Sequence, residues 1–518
     1  MFERIKRLLG FRDLRRSDRG DQRIRARYDA TLKTAEAQRA WSGADNFAAN
    51  AANSPENRRL LRMRGRYEQF NNPYTDGQLQ TLSGDVVGQG PRLRMLTGVK
   101  KIDKFIEKEF QEWMRVIGLA NKLRLMIETP AAAGEVFGVM FQNPKLKTAV
   151  KLDLRLYEGD QISTPGILPF WDPTKEDGIE FDSWENPTVY HLLNQHPGDA
   201  RSLAPLAFTT IPAERVIHVF KQRRPGQRRG IPRITSSLPL YNQRRAYRES
   251  VVTASKVAAE LGAVLLESQA VPDEETSVAA AGDTMDIERG MMTTLPEGYR
   301  ANQMKAEQPA TTFKEFDNKL IAEGARPLNM PFNIAAADSS GYNYSSGRLD
   351  HQTYDLSVGI DRGDLEGDAL FRLLTQWLEE ALTIPGYLPF RARAIIDSGF
   401  QHEWLWHERE HVDQTKAADA QKTRLESGTT TLSYELAKNG VDFETHLETL
   451  KGEIEAYAAL GLVHPVMRDT VKQQTKAAPA NVEEEEGKEE EKEVAEEDAA
   501  NASVRRNGSA GGRLVGLV

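Results

Sequence analysis

The chain of 518 residues contains no cysteine. Without thiols there is no disulfide framework, no thiolate zinc site, no iron–sulfur cluster and no cysteine nucleophile. Chemistry is left to histidine, carboxylates, hydroxyls and amines, and a reducing, intracellular setting fits best. Long apolar runs are missing as well. No stretch approaches the ~20 apolar residues of a membrane span, and the opening MFERIKRLLGFRDLRRSDRG lacks a secretory h-region and cleavage site. Phe2, Ile5, Leu8 and Leu9 mark one side of a basic helix, the pattern of a terminus that packs on a partner subunit, stays mobile or touches a membrane surface.

What is present suffices for substantial cores: 39% of the residues are apolar, and the length suggests roughly three domains. The net charge of −8 hides an uneven distribution. Residues 1–70 hold 17 Lys/Arg against 9 Asp/Glu, residues 221–250 hold 9 against 1, and residues 483–498 hold 11 acids against 2 lysines. Removing the −9 of that acidic run from the total leaves +1 for the rest, so the acidity belongs to a solvated tail, residues 477–518, expected to be disordered.

Residues 1–70 read as a basic, helical arm with few large apolar residues, more arm than core. Asn71-Asn72-Pro73-Tyr74 starts a turn, and Val86-Val87-Gly88-Gln89-Gly90-Pro91 has the form of a strand running into a tight turn. Ile102, Phe105, Ile106, Phe110, Trp113 and Ile117 share one face of a helix stopped by Gly118. Strict alternation over 150–157 predicts a half-buried strand, with shorter strands at Val136–Phe141, Val189–Leu193 and Arg215–Phe220. A helix over 237–262, a small β insert with a soft loop at Ser277–Asp283, and a second helix around Phe313–Ile321 follow. A third long helix is expected from about Leu349 to Leu382, with the stripe Leu365, Ala369, Leu370, Leu373, Leu374, Trp377 and Leu378, and two more helices near 432–438 and 443–459. The fold class is α+β.

Motifs with chemical meaning are few. His407-Glu408-Arg409-Glu410-His411 is a literal H-E-x-x-H, which on a helix would set two imidazoles one turn apart for zinc. The extended G-x-x-H does not follow and the next residues are polar, so a surface helix is the better reading and a zinc-dependent hydrolase the alternative. Gly88-Gln89-Gly90 lacks a third glycine, and no G-x-x-x-x-G-K-[ST] occurs. Neither a catalytic residue, a metal ligand nor a cofactor is assigned.

The more informative cluster sets Lys221, Arg223, Arg224, Arg228, Arg229 and Arg233 around Pro225, Gly226, Gln227 and Gly230. Such a positive loop meets phosphates through counterion release or pairs with acidic groups of a neighbouring subunit. No aromatic residue interrupts it, which argues against stacking on single-stranded bases.

The passage from Ile211 through His218 and Arg224-Pro225-Gly226-Gln227-Arg228-Arg229-Gly230 to Pro232 resembles the signature stretch of lambda-type bacteriophage portal proteins. Further elements of that pattern follow in order: Arg64-Gly65-Arg66, Asn71 to Tyr74, Val86-Val87-Gly88, Gly134-Glu135, Leu152 to Tyr157, Gly178 to Asp182, Val189-Tyr190-His191, and Asn343-Tyr344-Ser345-Ser346-Gly347-Arg348. The likeness spans about residues 20 to 450. It implies a portal fold: a mixed α/β wing over 71–236, stem helices at 237–262 and 311–326, a clip at 263–308, a tunnel-loop region and long wing helix over 327–399, and wing completion with a helical crown over 400–476, where HEREH would sit in a structural helix. It also implies a non-enzymatic ring, usually of twelve subunits, at one capsid vertex. Double-stranded DNA would pass through it, and the terminase large subunit, major capsid and scaffold proteins and head-completion or tail connector proteins would be its partners. The ring would be assembled in the host cytoplasm and carried in the virion, with no membrane involved. A conduit must not grip its cargo, so the Arg223–Arg233 cluster is expected at subunit contacts or the wing and not as a basic collar on the channel.

Overall fold

The computed structural model describes residues 34–164, 174–199, 207–260, 264–268, 299–303, 313–389, 392–397, 399–407, 414–438 and 440–467. The chain divides into two compact units, Met1–His411 and Val412–Val518.

In the first unit, capping chemistry places the helices. Ser54 accepts from the Asn57 N–H at 3.3 Å and Pro55 occupies the first turn of the Pro55–Asn71 helix. Asn72 then caps the Pro73–Val87 helix by accepting from the Tyr74 N–H at 3.3 Å. The expected strand at Val86-Val87 is instead the last turn of that helix. Leu79, Leu82 and Val86 recur at helical spacing on its buried face, and Gly88, at φ +55°, ends it. The Pro55–Asn71 helix corrects the reading of this region as an arm. It buries Arg58, Arg62 and Glu68, and at Gly65 it crosses so near the Leu119–Ala133 helix that a Cβ there would lie 1.9 Å from the Ala132 carbonyl oxygen.

The Lys100–Val116 helix buries Ile102, Ile106, Phe110 and Trp113 as the stripe predicts, and Gly118 adopts φ +64°. The Leu119–Ala133 helix behind it was not foreseen. Strands are β1 (Arg92–Leu96), β2 (Glu135–Gln142), β3 (Leu152–Glu158), β4 (Lys175–Glu176), β5 (Ile179–Phe181), β6 (Pro187–Leu193), β7 (Phe208–Pro212), β8 (Val216–Phe220), β9 (Val264–Ser268), β10 (Tyr299–Gln303) and β11 (Gln401–Leu405). They form sheets ordered β3-β2-β8, β4-β5-β6-β7, β1-β11 and β9-β10, and every pairing among the described strands is antiparallel. Mixed helices and antiparallel sheets make the fold α+β.

One core runs between the helices and the three-stranded sheet, with Phe110, Trp113 and Trp377 fully buried. Phe110 meets Trp377 edge-on at 5.4 Å, and the Trp113 Nε1–H donates to the Leu152 carbonyl at 2.7 Å, so both indoles are fixed. A smaller cluster of Phe137, Ile162, Ile179, Tyr190, Leu192 and Val216 joins the three- and four-stranded sheets.

The Leu238–Glu260 and Phe313–Ala325 helices flank the β9–β10 pair, and the soft loop at Ser277–Asp283 lies outside the described residues. The two helices are tied by Arg244 to Asp317 at 2.7 and 3.0 Å and by Tyr241, whose hydroxyl donates to the Gly324 carbonyl at 2.9 Å, and Ser237, in the turn just before the first helix, donates to the same carbonyl at 2.8 Å. The third long helix begins earlier than expected. Asn343 Oδ1 accepts from the Ser346 N–H at 2.9 Å and starts the helix at Tyr344. It continues through a π-helical turn at Glu366–Leu370 into Phe371–Thr383.

In the second unit, the Gln414–Glu426, Leu432–Lys438 and Phe443–Ala459 helices are described, the last capped by Asp442 on the Thr445 N–H at 2.9 Å. No helix among the described residues is long and apolar enough to cross a membrane. The basic terminus before residue 34 and the acidic tail lie outside the described residues.

Candidate functional site

The arginine loop follows β8 and leads into the Leu238–Glu260 helix, and its side chains divide into an outer and an inner set. Arg223 and Arg224 are exposed at the turn. The Arg224 guanidinium donates to the Phe47 carbonyl at 2.8 Å, and the backbone N–H groups of Arg223 and Arg224 donate to Gln227 Oε1 at 2.9 and 3.3 Å. Pro225 and Gly226 form the tip, Gly226 at φ +73°, where a glycine is needed for conformation alone. Arg228 lies over the Phe181 ring at 4.4 Å and reaches Glu185 at 3.3 Å.

Arg229 and Arg233 turn inward. Arg229 is 0% exposed and meets Glu135, also 0% exposed, at the first residue of β2. Its Nε and Nη2 donate to the Glu135 carboxylate at 2.9 and 2.7 Å. The same carboxylate accepts from Arg62 Nη1 at 3.1 Å, the Gly230 N–H at 2.9 Å and His218 Nε2 at 3.1 Å. Asp177 pairs with Arg58 at 2.7 Å and stands 3.4 Å from Arg229. One carboxylate thus gathers the loop, the Pro55–Asn71 helix and two strands of the central sheet. Arg233 pairs with Asp361 at 2.7 Å, and Lys221 reaches Asp361 and Asp364 at 2.9 and 2.7 Å, which ties the loop to the Tyr344–Leu365 helix.

Burial pushes the Glu135 carboxyl up, but the Arg229 charge and the hydrogen bonds from His218 and Arg229 outweigh it and hold the group well below the usual carboxylate range. Burial lowers the His218 imidazole, and this outweighs the upward pull of Glu135, so the ring is neutral at pH 7 and donates from Nε2. It is stacked between Phe137 and Phe220 at 4.2 and 4.5 Å. Close packing leaves no room for substitution at Gly230, where a Cβ would lie 2.0 Å from the Gly134 carbonyl oxygen. Gln227 Nε2 completes the loop by donating to the Arg229 carbonyl at 2.8 Å.

Of the other motif positions, Asn343 is a helix cap, and Ser346 gives its N–H to that cap while its hydroxyl donates to the Asn343 carbonyl at 3.2 Å. Tyr344 and Ser345 occupy the first turn, and Arg348 is exposed. The H-E-x-x-H reading loses its geometry. His407 follows β11 in an isolated bridge, not on a helix, with its carbonyl accepting from Arg362 at 2.9 Å, and residues 408–411 lie outside the described residues. The expected placement of HEREH in a helix therefore fails at its first residue.

Sequence reasoning missed the acids that receive the arginines. Glu135 stood beside Gly134 in a quoted motif, yet nothing local marks a carboxylate at a strand start as a binder of cations far away in sequence. Glu158, Asp160 and His196 also converge, with ligand atoms within 4.8 Å of one another. Arg66 Nη2 already sits 2.6 Å from Glu158 and 2.5 Å from Asp160 and supplies the cation there.

Comparison with known proteins gives three results. The family model described as "Phage portal protein, lambda family" matches residues 34–356. The chain is 26% identical over 462 residues, 82% of its length and 86% of the relative's, to a "Probable portal protein" of Halomonas phage phiHAP-1. Among solved structures, 75% of the chain aligns with 94% of a chain from the neck of a native GTA particle computed with C12 symmetry, at 13% identity and a TM-score of 0.45. A further 77% coverage, of 96% of that chain, is found with the virion of a native gene transfer agent particle at 14% identity and a TM-score of 0.43.

Proposed function

The chain belongs to the lambda family of phage portal proteins, a structural and non-enzymatic family, and on that premise we propose that its copies close into a ring, of about twelve subunits by the likeness to that family, at a single capsid vertex. The ring is the passage for double-stranded DNA during packaging and ejection and the nucleus on which the procapsid assembles. Its partners are the terminase large subunit, the major capsid and scaffold proteins, and head-completion or tail connector proteins. It is made in the host cytoplasm and stays in the virion. The observation that carries this reading is the family match over residues 34–356.

The domain assignment follows the same premise. The Leu238–Glu260 and Phe313–Ala325 helices are the stem and the intervening 263–308, with its β9–β10 pair, the clip. The mixed α/β region 71–236 and the long helix after Asn343 are the wing, and residues beyond 400 complete it and form the crown. In support, the two candidate stem helices are joined by Arg244–Asp317 at 2.7 Å and by the Tyr241 hydroxyl donating to the Gly324 carbonyl at 2.9 Å.

The arginine loop contributes to the ring chiefly by holding the wing together. Arg229 and Arg233 neutralise buried acids of their own chain, which leaves Arg223, Arg224 and the half-buried Arg228, whose partner Glu185 is exposed, as the loop's candidates for DNA or a neighbouring subunit. Deleting the gene from the phage genome and supplying it in trans tests the proposal. Without the chain, particles should contain no DNA, and complementation should restore filling. DNA-filled, infectious particles lacking the chain would overturn it.

A further inference from the structure

A short segment ahead of the Pro55–Asn71 helix lies across the tip of the arginine loop and is tied there by hydrogen bonds. Asn50 uses both halves of its carboxamide. Its Nδ2 donates to the Gly226 carbonyl and its Oδ1 accepts from the Arg228 N–H, each at 3.0 Å. The Arg224 guanidinium donates to the Phe47 carbonyl at 2.8 Å. These three bonds join groups 176 to 178 residues apart in the chain.

Apolar burial adds little to them. Phe47 is 59% exposed and no residue of the single helical turn Ala49–Ala52 is buried. Ala48, before that turn, supplies no side-chain cap. One turn is not stable in water by itself, so it keeps its form through what it rests on.

The anchorage changes at Asn53. This residue is 2% exposed, its Nδ2 donates to the Arg229 carbonyl at 3.0 Å, and its own carbonyl accepts from the buried Arg58. Asn57 holds the Ala52 carbonyl at 2.9 Å beside it, and Ser54 and Pro55 then start the long helix. A fixed point therefore borders a stretch whose fastening is polar and superficial.

We propose that residues 45–52 are a strap that swings about Asn53, with Asn50 as its latch, and that this strap gates the arginine loop. Closed, it occupies the Arg224 guanidinium and the Arg228 N–H within the chain. Open, it withdraws their acceptors on Phe47 and Asn50 and uncovers the tip. Segments with few buried apolar contacts lie at the low-stability end of a fold, where they open without global unfolding. Every bond of the gate lies within one chain, so it stands or falls apart from the ring reading.

Hydrogen–deuterium exchange of the full-length chain, read by mass spectrometry at single amides, tests the gate. In the parent, the Ala52 N–H, bonded to the Ala48 carbonyl at 2.9 Å, and the Arg228 N–H should exchange faster than the middle of the Pro55–Asn71 helix and than the Gly230 N–H, held by Glu135 at 2.9 Å. Asn50→Ala removes two bonds of the latch and should speed Ala52 about tenfold or more, with the long helix and Gly230 as in the parent. Arg224→Met touches neither reporter amide, yet by loosening the strap it should speed both Ala52 and Arg228 about fivefold. Unchanged exchange at Ala52 and Arg228 in Arg224→Met would overturn the gate, as would protection of Ala52 in the parent equal to that of the long helix. Faster exchange of the long helix in Asn50→Ala would overturn it too, because the segment would then be an integral part of the fold.

Discussion

Replacing Arg229 by Met removes the strongest partner of a carboxylate that has no access to water. Breaking a buried pair by taking away one member costs about 3–5 kcal/mol, because the remaining charge is left without compensation. Glu135 keeps Arg62 at 3.1 Å, the Gly230 N–H at 2.9 Å and His218 at 3.1 Å. The lower end, about 3 kcal/mol, is therefore expected for Arg229→Met. Exchanging Glu135 for Met at the same time removes the orphan charge. Arg62 then still has Asp160 at 3.4 Å, so the double variant should be less damaged than the sum of the singles by about 2 kcal/mol. Arg224→Met, at an exposed site, should stay within about 0.5 kcal/mol of the parent. Urea unfolding at pH 7, followed by tryptophan fluorescence, reads these values, since Trp113 and Trp377 are fully buried. One subunit concentration must be kept throughout, as assembly itself stabilises the folded chain. A loss below about 1 kcal/mol for Arg229→Met, or strict additivity with Glu135→Met, would refute the reasoning.

Gly230→Ala should prevent stable folding, because the new Cβ would meet the Gly134 carbonyl at 2.0 Å, whereas Gly226→Ala, with open space but φ +73°, should cost only about 1 kcal/mol; yield of soluble protein and thermal melting separate them. Asp368, raised from 3.8 to about 6 by burial and by Asp364, gives stability that is fully present below pH 3.8 and lost as pH rises through about 6. Asp368→Asn should remove that slope and stabilise the chain at pH 7, by no more than about 1 kcal/mol because the residue is exposed to solvent. His218 and Glu135 act in the opposite sense. Both are lowered in the folded chain, so their stability is present above pH 6.5 and 4.5 respectively and is lost as pH falls through the folded values. His218→Gln should flatten the acid limb below pH 6.5 in urea titrations, and an unchanged limb would contradict this.

Periodicity revealed elements whose apolar residues face one core. The Leu365–Leu378 stripe occupies the buried positions expected of it, and so do most of the Ile102–Trp113 stripe and of the alternation at 150–157, where Phe105 and Leu156 are only half-buried. It failed where burial is supplied by polar groups. Arg58 and Arg62 made the Pro55–Asn71 helix look like a solvated arm, yet they are buried against Asp177 and Glu135. β1 and β11 pair across more than 300 residues, Leu93 with Trp404, and such short strands carry no signal until they meet. In the arginine loop the cations were legible as a cluster, and Gly230 as a motif glycine. Their acceptors at Glu135 and Asp361 were not, because ion pairing has no sequence period.

The ring itself is tested most directly by imaging the purified chain at micromolar concentration. Negative-stain class averages should show monodisperse closed rings with a central hole and one rotational symmetry. A field of compact monomers, or of open filaments that never close, would contradict the account.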